Sequence, residues 1–582
     1  LAQATASFLK SRTGWLLVCV LLVAFVLRFL GLDFGLPNDS RPDEIPIRQI
    51  ILHYLLDPIF SRGNWQLHPR FLNYPSLYFY LHSVIFTIYY GIGHLLGWFA
   101  DWRSFLIASN VNPTSFHMIL RWFNVFTGTG MVAIMALLGW RWSGRHSVAV
   151  MAALLAATNY LLVRNSHFGS VDMLMTLGVT ASLWAILRYR KQKTPQALRL
   201  ACILCGLSVG AKYPAALLLL PLWVALLEPH VSSERIDWSG FLHSVWKPTG
   251  LVVLVFLLTS PYILLDFPEF LRDFRYESVY FFTFRVPGLE SGWLFYPDFA
   301  LWHGVGPWVL LFFGLGVWRR WQQPENRWAD ATLLAFLVGF YILLGFNERV
   351  MTRYALPMVP VILLYAAFGL DELVRSLQTL LKIRRPWQTT SLWLLAGGLL
   401  SMPSLVQSVG FNLLLMKADT RNLAREWILA NVPRQTPVAT GPRLGLISLP
   451  GEYGQFIVQT GPEFLMPPPE THLQMLNTKD LLTNTYADLA LFKKLNIRYV
   501  VTFQGLPIYG NRPWEMETLM KNAKPVFYAN PLKPGKKPGD VGRFDPLDAF
   551  YLPYDNFEAF DRPGPVIAIF DLAQAPQAKP EK

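Results

Sequence analysis

Two neighbouring carboxylates, Asp43 and Glu44, stand in Ser40-Arg41-Pro42-Asp43-Glu44, just beyond the first long apolar run of the chain. Carboxylates in such a place can take a proton from a hydroxyl, or share a divalent cation. His68, Asn73 and Tyr74 follow in the same connector, and Pro42, Pro69 and Pro75 restrict its backbone. Restraint of that kind is expected where a base is held against its substrate. The plainer reading is a pair of solvated loop acids after the turn residues 37–40. A third acid, Asp172, heads an apolar block in Phe168-Gly169-Ser170-Val171-Asp172. The helix dipole alone would favour an acid in a first turn, but an ionisable group at membrane depth is costly unless it is paired or wet.

Cations recur where these acids would need them. Lys212 interrupts a strongly apolar stretch between Gly210 and Tyr213-Pro214. It either snorkels to an interface or holds a phosphate, which suits a compact ammonium charge. Arg349 and Arg353 lie in Asn347-Glu348-Arg349-Val350-Met351-Thr352-Arg353-Tyr354. Their forks match phosphate oxygens, with salt bridging to Glu348 or to the acidic loops as the alternative. No Gly-rich nucleotide loop is visible, and Gly128-Thr129-Gly130 in an apolar helix reads as close packing. Cys19, Cys202 and Cys205 all lie in apolar segments and read as packing residues.

The elements that must position these groups are membrane helices. The chain has 582 residues, 53% of them hydrophobic and only 15% charged, and its apolar residues come in blocks of spanning length. This predicts a polytopic α-helical membrane protein with about 11 to 13 crossings. The formal charge of +13 collects in short connectors at Arg141, Arg145, 188–193, 319–320 and 382–385, which orients the chain with those loops inside and gives no nucleic-acid surface. Lys10 and Arg12 before the first span predict an uncleaved anchor with a cytoplasmic N-terminus. Counted backwards, 266–300, 347–353 and everything after 415 fall outside. Counted forwards, placing both Asp43 and Asp172 outside conflicts with the three apolar blocks between them, so either one block does not cross, or 98–118 hides a re-entrant piece, or Asp172 is not outside. The 198–227 block, broken at 210–214, is either one span plus an interfacial part or two short spans.

The domain reading is a transmembrane part over 1–414, with a first exterior loop at 32–75, and a C-terminal extracytoplasmic mixed α/β domain over 415–582. Within the loop, 45–60 mixes apolar residues with Arg48, Gln49, His53 and Asp57, as in a helix lying at the interface. Residues 420–431 carry Leu423, Trp427 and Ile428 at helical spacing, and 499–501 and 566–569 read as buried strands. Pro467-Pro468-Pro469 marks an irregular stretch.

In order along the chain, Asp43-Glu44, His68-Pro69, Tyr74-Pro75-Ser76-Leu77, Arg121, the Asp172 block, Gly206 to Pro214 with Lys212, Arg353-Tyr354-Ala355-Leu356-Pro357 and Asp419-Thr420-Arg421-Asn422 resemble the multi-span polyprenyl-phosphate-sugar-dependent glycosyltransferases. This GT-C group includes the protein O-mannosyltransferases and the bacterial lipid A aminoarabinose transferases. The likeness covers residues 10 to about 440, and Ser76 stands where relatives often have a second proline. It implies an inverting transfer from a polyprenyl-phosphate-linked sugar donor to a lipid, glycan or protein acceptor in a bacterial inner membrane. In that picture Asp43 is the base, Glu44 and Asp172 complete the catalytic acids, and His68, Tyr74, Lys212, Arg349 and Arg353 surround the donor phosphate. A magnesium or manganese ion on Asp43, Glu44 and Asp172 is an open alternative. A lipid-linked sugar transporter or flippase is the competing class, but it predicts two comparable halves, and none is visible.

Overall fold

The computed structural model describes residues 12–573 apart from 39–40, 66, 233–234, 286–287, 384, 441–446, 448, 451–454, 460–473, 478–491, 493, 505–523, 538–540 and 549–550. Pro467-Pro468-Pro469 and Lys10 lie outside the described residues. The chain forms two compact units. One comprises 1–29, 65–84 and 120–409, and the other 30–64, 85–119 and 410–582.

The first unit is helical. Six helices among the described residues are long and apolar enough to cross a membrane, or eight if two bent pairs each count as one span. That is fewer than the expected 11 to 13 crossings; Gly14–Phe29 and Pro195–Ala211 are shorter apolar helices, and Leu77–Leu95 and Asp172–Gln192 are of 19 and 21 residues. Glycines set the tightest approach. A Cβ on Gly316 would collide with the carbonyl of Tyr365, and one on Gly369 with that of Phe312, so Pro307–Trp321 and Val359–Leu380 pack backbone to backbone. Gly128 lies likewise against Ser166 and Arg28, as its apolar setting predicts. Cys202 and Cys205 are buried and free.

One bent pair, His146–Thr158 and Tyr160–Ser166, turns by 56°. The break frees carbonyls that lipid cannot satisfy, and the fully buried Arg28 donates to Ala156 O and Ala157 O at 3.0 Å each. On the far side of the break, Asn159 accepts from Leu162 N–H at 3.2 Å.

The second unit carries the sheet, whose strands are β1 Val438–Thr440, β2 Gln455–Gln459, β3 Gln474–Asn477, β4 Tyr499–Gln504, β5 Phe527–Ala529 and β6 Val566–Asp571. Their order is β3-β2-β1-β4-β6-β5. β1 to β4 pair in parallel, while β6 runs antiparallel to β4 and β5. Alternate residues of β6 enter two separate cores. Ile567 and Ile569 pack with Ala424 and Ile428 of the helix Thr420–Asn431, and Val566, Ala568 and Phe570 pack with Phe492, Phe544 and Phe560. Being covered on both faces is what makes these strands read as continuous apolar runs. Residues 44–62 of this unit are helical with a π-helical turn at Ile50–Leu56. The 98–118 connector contains a ten-residue helix, Trp102–Val111, begun by a capping box between Asp101 and Ser104.

Candidate active site

In the first unit the site grows from a helical hairpin. Asp172–Gln192 and Pro195–Ala211, of 21 and 17 residues, are joined by a short turn and pack through Gly178 against Ser208. Helices of similar rise joined this way bring the start of one beside the end of the other. Asp172 opens the first, and Lys212 follows the second. Pro214 forces the break: Lys212 is extended at φ −159°, and a 3-10 turn, Tyr213–Leu218, precedes Leu219–Leu227. The 198–227 block is therefore two helical elements with Lys212 at their junction. The turn leading into Asp172 is held by Asn124, whose Nδ2 donates to Phe168 O and, at 2.8 Å, to Ser170 O.

The outcome is an ion cluster. Lys212 Nζ lies 2.6 Å from Asp172 Oδ1, and Arg353 Nη1 lies 3.9 Å from Asp172 Oδ2. Asp172 is 1% exposed, so it serves as the counter-ion that makes two buried cations tolerable. It sits in the first helical turn without a side-chain capping bond. The Lys212 ammonium also lies 4.8 Å from the Tyr354 ring centre and 5.6 Å from that of Tyr74, within cation–π range. Arg349, half-buried, stacks 4.3 Å over Tyr280 and reaches Glu277 at 3.6 Å. Lys212, Arg349 and Arg353 thus gather around Asp172 and Glu277.

Lys212, Tyr74, Tyr354, Asn73 and Glu277 close one end of a cavity of about 390 Å³. Beyond them the lining turns apolar, with Met175, Leu217, Phe274, Phe281, Phe340 and Leu344 among its residues. One wall is the helix Phe267–Thr283, to which the first-loop segment is stitched residue by residue. Leu72 N–H donates to Asp273 at 2.9 Å and Asn73 to Glu277 at 3.4 Å; from the 347–353 connector, Glu348 N–H donates to Phe281 O of the same helix at 3.1 Å.

His68 belongs to this stitching. Its Nε2 lies 3.1 Å from Asp266 and 3.5 Å from Glu269, and its Nδ1 accepts the Arg70 N–H at 2.9 Å. That acceptor role assigns the ring proton to Nε2, where it is donated to the carboxylates, and the His68 bond holds the Asp266 carboxyl below its usual range. The three ligand atoms lie within 4.8 Å of one another, but a metal-bound histidine normally donates from its second nitrogen, and here that nitrogen accepts. Asp172 fits a divalent cation no better, since two cations already face it.

Asp43 and Glu44 belong to the second unit. Asp43 is partly exposed and precedes the helix Glu44–Gln49. Glu44 is fully buried, 3.7 Å from His117 Nδ1. The preceding loop is anchored twice: Arg41 grips both oxygens of Asp548 at 2.7 Å, and Asn422 donates to Leu36 O at 3.0 Å. Asn422 stands in the Asp419-Thr420-Arg421-Asn422 motif, whose Asp419 and Arg421 pair at 2.7 Å.

Sequence reasoning passed over Glu277, Asn124 and His117. For Glu277 there was a signal: Asp266, Glu269, Asp273 and Glu277 fall at helical spacing on one face. For Asn124 and His117 there was none.

The architecture is that of a polytopic membrane protein with a C-terminal α/β portion and the GT-C fold. Residues 114–264 match the family described as dolichyl-phosphate-mannose-protein mannosyltransferase. The structure is similar to ArnT from Cupriavidus metallidurans bound to undecaprenyl phosphate, at 15% identity and a TM-score of 0.51, over 96% of this chain and 98% of that one. It is similar to the apo state of the same protein at 14% identity and 0.51, over 97% and 99%. The apo oligosaccharyltransferase of Archaeoglobus fulgidus matches at 15% and 0.50, over 85% and 70%. No curated protein matches by sequence. The family match points to a glycosyltransferase in general terms, and the solved structures show the likeness of fold.

Proposed function

We propose that the protein is an inverting glycosyltransferase that moves a sugar from a polyprenyl-phosphate donor to the hydroxyl of an extracytoplasmic lipid, glycan or protein acceptor. The observation that carries this reading is an apolar cavity lined at one place by Lys212, beside which Arg349 and Arg353 stand. A lipid tail suits its lining and a phosphodiester suits its end. The acceptor oxygen attacks the anomeric carbon as the bond from that carbon to the phosphate oxygen breaks. Polyprenyl phosphate leaves with the electron pair, and Lys212, Arg349 and Arg353 offset its growing negative charge. The hydroxyl proton passes to a carboxylate, which the family resemblance assigns to Asp43. Glu44, closed off beside His117, holds the helix that Asp43 precedes. Placing the site outside the membrane follows from the basic connectors on the other side, and a bacterial inner membrane follows from the resemblance.

The test uses purified full-length protein in nanodiscs, supplied with undecaprenyl phosphate-linked mannose, glucose or aminoarabinose and with lipid, glycan or peptide acceptors. Acceptor-dependent release of undecaprenyl phosphate is expected, slowed about 100- to 10,000-fold by Asp43→Asn. Movement of the intact lipid-linked sugar across a vesicle, with no release, would instead identify a transporter.

A further inference from the structure

We propose that Glu277 reads the sugar on the lipid-linked donor, accepting hydrogen bonds from its hydroxyls so that the cavity prefers sugar-loaded lipid to bare polyprenyl phosphate. This rests on the donor site proposed above.

The case begins with the helix Phe267–Thr283 and the acid just before it. Of the four acids on its inner face, three are committed. Asp266 and Glu269 take His68, and Asp273 accepts Leu72 N–H at 2.9 Å and Arg272 at 2.8 Å. Glu277 is the last in the row and is held loosely, with Asn73 at 3.4 Å and Arg349 at 3.6 Å. An ionised carboxylate offers about four acceptor positions, so most of its capacity is unused. Its side chain is 28% exposed, and it lines the cavity.

Its surroundings suit a sugar. Glu277 is the one acid among the described residues lining the cavity. The rings of Tyr74 and Tyr354 close the same end and offer apolar faces with polar tips. A sugar esterified to a phosphate near Lys212 would carry its hydroxyls into this end. A planar carboxylate can accept from two neighbouring hydroxyls at once, whereas glutamine in its place turns one of those acceptors into a donor. A site built to bond a substrate hydroxyl discriminates strongly against a ligand that lacks it.

The experiment measures binding of undecaprenyl phosphate, bare or carrying mannose, glucose or 4-amino-arabinose, to the full chain and to Glu277→Gln and Glu277→Ala. Preference is the affinity for the best-bound sugar lipid divided by that for the bare lipid. Glu277→Gln is expected to weaken sugar-lipid binding itself about 10-fold, with Glu277→Ala losing at least as much; a preference that falls only because bare lipid binds more tightly, as loss of a negative charge beside Arg349 would cause, would overturn the proposal. An unchanged preference, or an equal loss for bare and loaded lipid, would overturn the proposal and leave Glu277 as a support for Arg349. A wild-type chain that binds none of these lipids would remove the donor site itself, and this inference with it.

Discussion

Buried carboxylates in the first unit are held in two different ways. Around Asp330 every oxygen is in use: Trp142 Nε1 donates at 2.9 Å, Tyr365 OH at 3.0 Å and Arg320 Nε at 3.2 Å, and the Arg320 guanidinium lies 4.4 Å over the Trp142 ring. Asp371 is similar, gripped by Arg145 at 2.9 Å, Arg375 at 2.8 Å and Trp393 at 3.1 Å. At the cavity the Lys212–Asp172 contact is short at 2.6 Å, while Arg349 stands 3.6 Å from Glu277. A carboxylate held by three donors at once has little left for a ligand. A long Arg349–Glu277 contact beside a cavity leaves room for one, and that separates a structural ion cluster from a binding site.

The sharpest way to break this comparison is to cut one side of each cluster. Asp330→Ala strands a buried guanidinium and is expected to cost about 3–5 kcal/mol, seen as a large fall in the thermal midpoint of detergent-purified protein. Arg349→Ala is expected to leave that midpoint nearly unchanged while weakening undecaprenyl phosphate binding about 10- to 100-fold, the worth of one charged hydrogen bond. If Arg349→Ala instead melts the protein and spares binding, the two clusters are of one kind.

A smaller effect comes from acid. Asp266 has its folded-state pKa depressed, first by the His68 hydrogen bond and then by Glu269 N–H. Its contribution is therefore complete above the unfolded carboxylate value of about 3.9 and lost as pH falls through the lower folded value. Stability should be flat from neutrality to about pH 5 on this account, and Asp266→Asn should flatten the acid limb below it. The smallest expected effect is that of a chelator. With Asp172 already faced by two cations, prolonged treatment with EDTA should leave lipid binding unaltered, and a loss restored by magnesium or manganese would show that an ion belongs in the site.

Much of this site could be read from residue types, because a charge in an apolar run is conspicuous. Asp172 and Lys212 stood out for that reason, Arg353 as an arginine in a connector counted as exterior, and the structure joins them. The helix Thr420–Asn431 and strands β4 and β6 were legible through periodicity and β-branched runs. Glu277 was not singled out because it lies in a polar connector where acids are ordinary, and only helical phase sets it beside Asp266, Glu269 and Asp273. Asn124 and His117 are single polar residues in an apolar helix, and their partners Ser170 and Glu44 are 46 and 73 residues away. Such pairings are decided by tertiary packing, which no local pattern records. Gly210 to Pro214 announced a break in the 198–227 block, but Lys212 pairing with Asp172 rather than with lipid headgroups depended on the hairpin.

The central claim is that the cavity's cationic end holds the donor phosphate. The direct measurement is a structure of the full chain with undecaprenyl phosphate bound. The phosphate is expected within hydrogen-bonding distance of Arg349, Arg353 or Lys212, with the first isoprene units along Phe281 and Leu344. A phosphate seated away from all three cations would contradict the account.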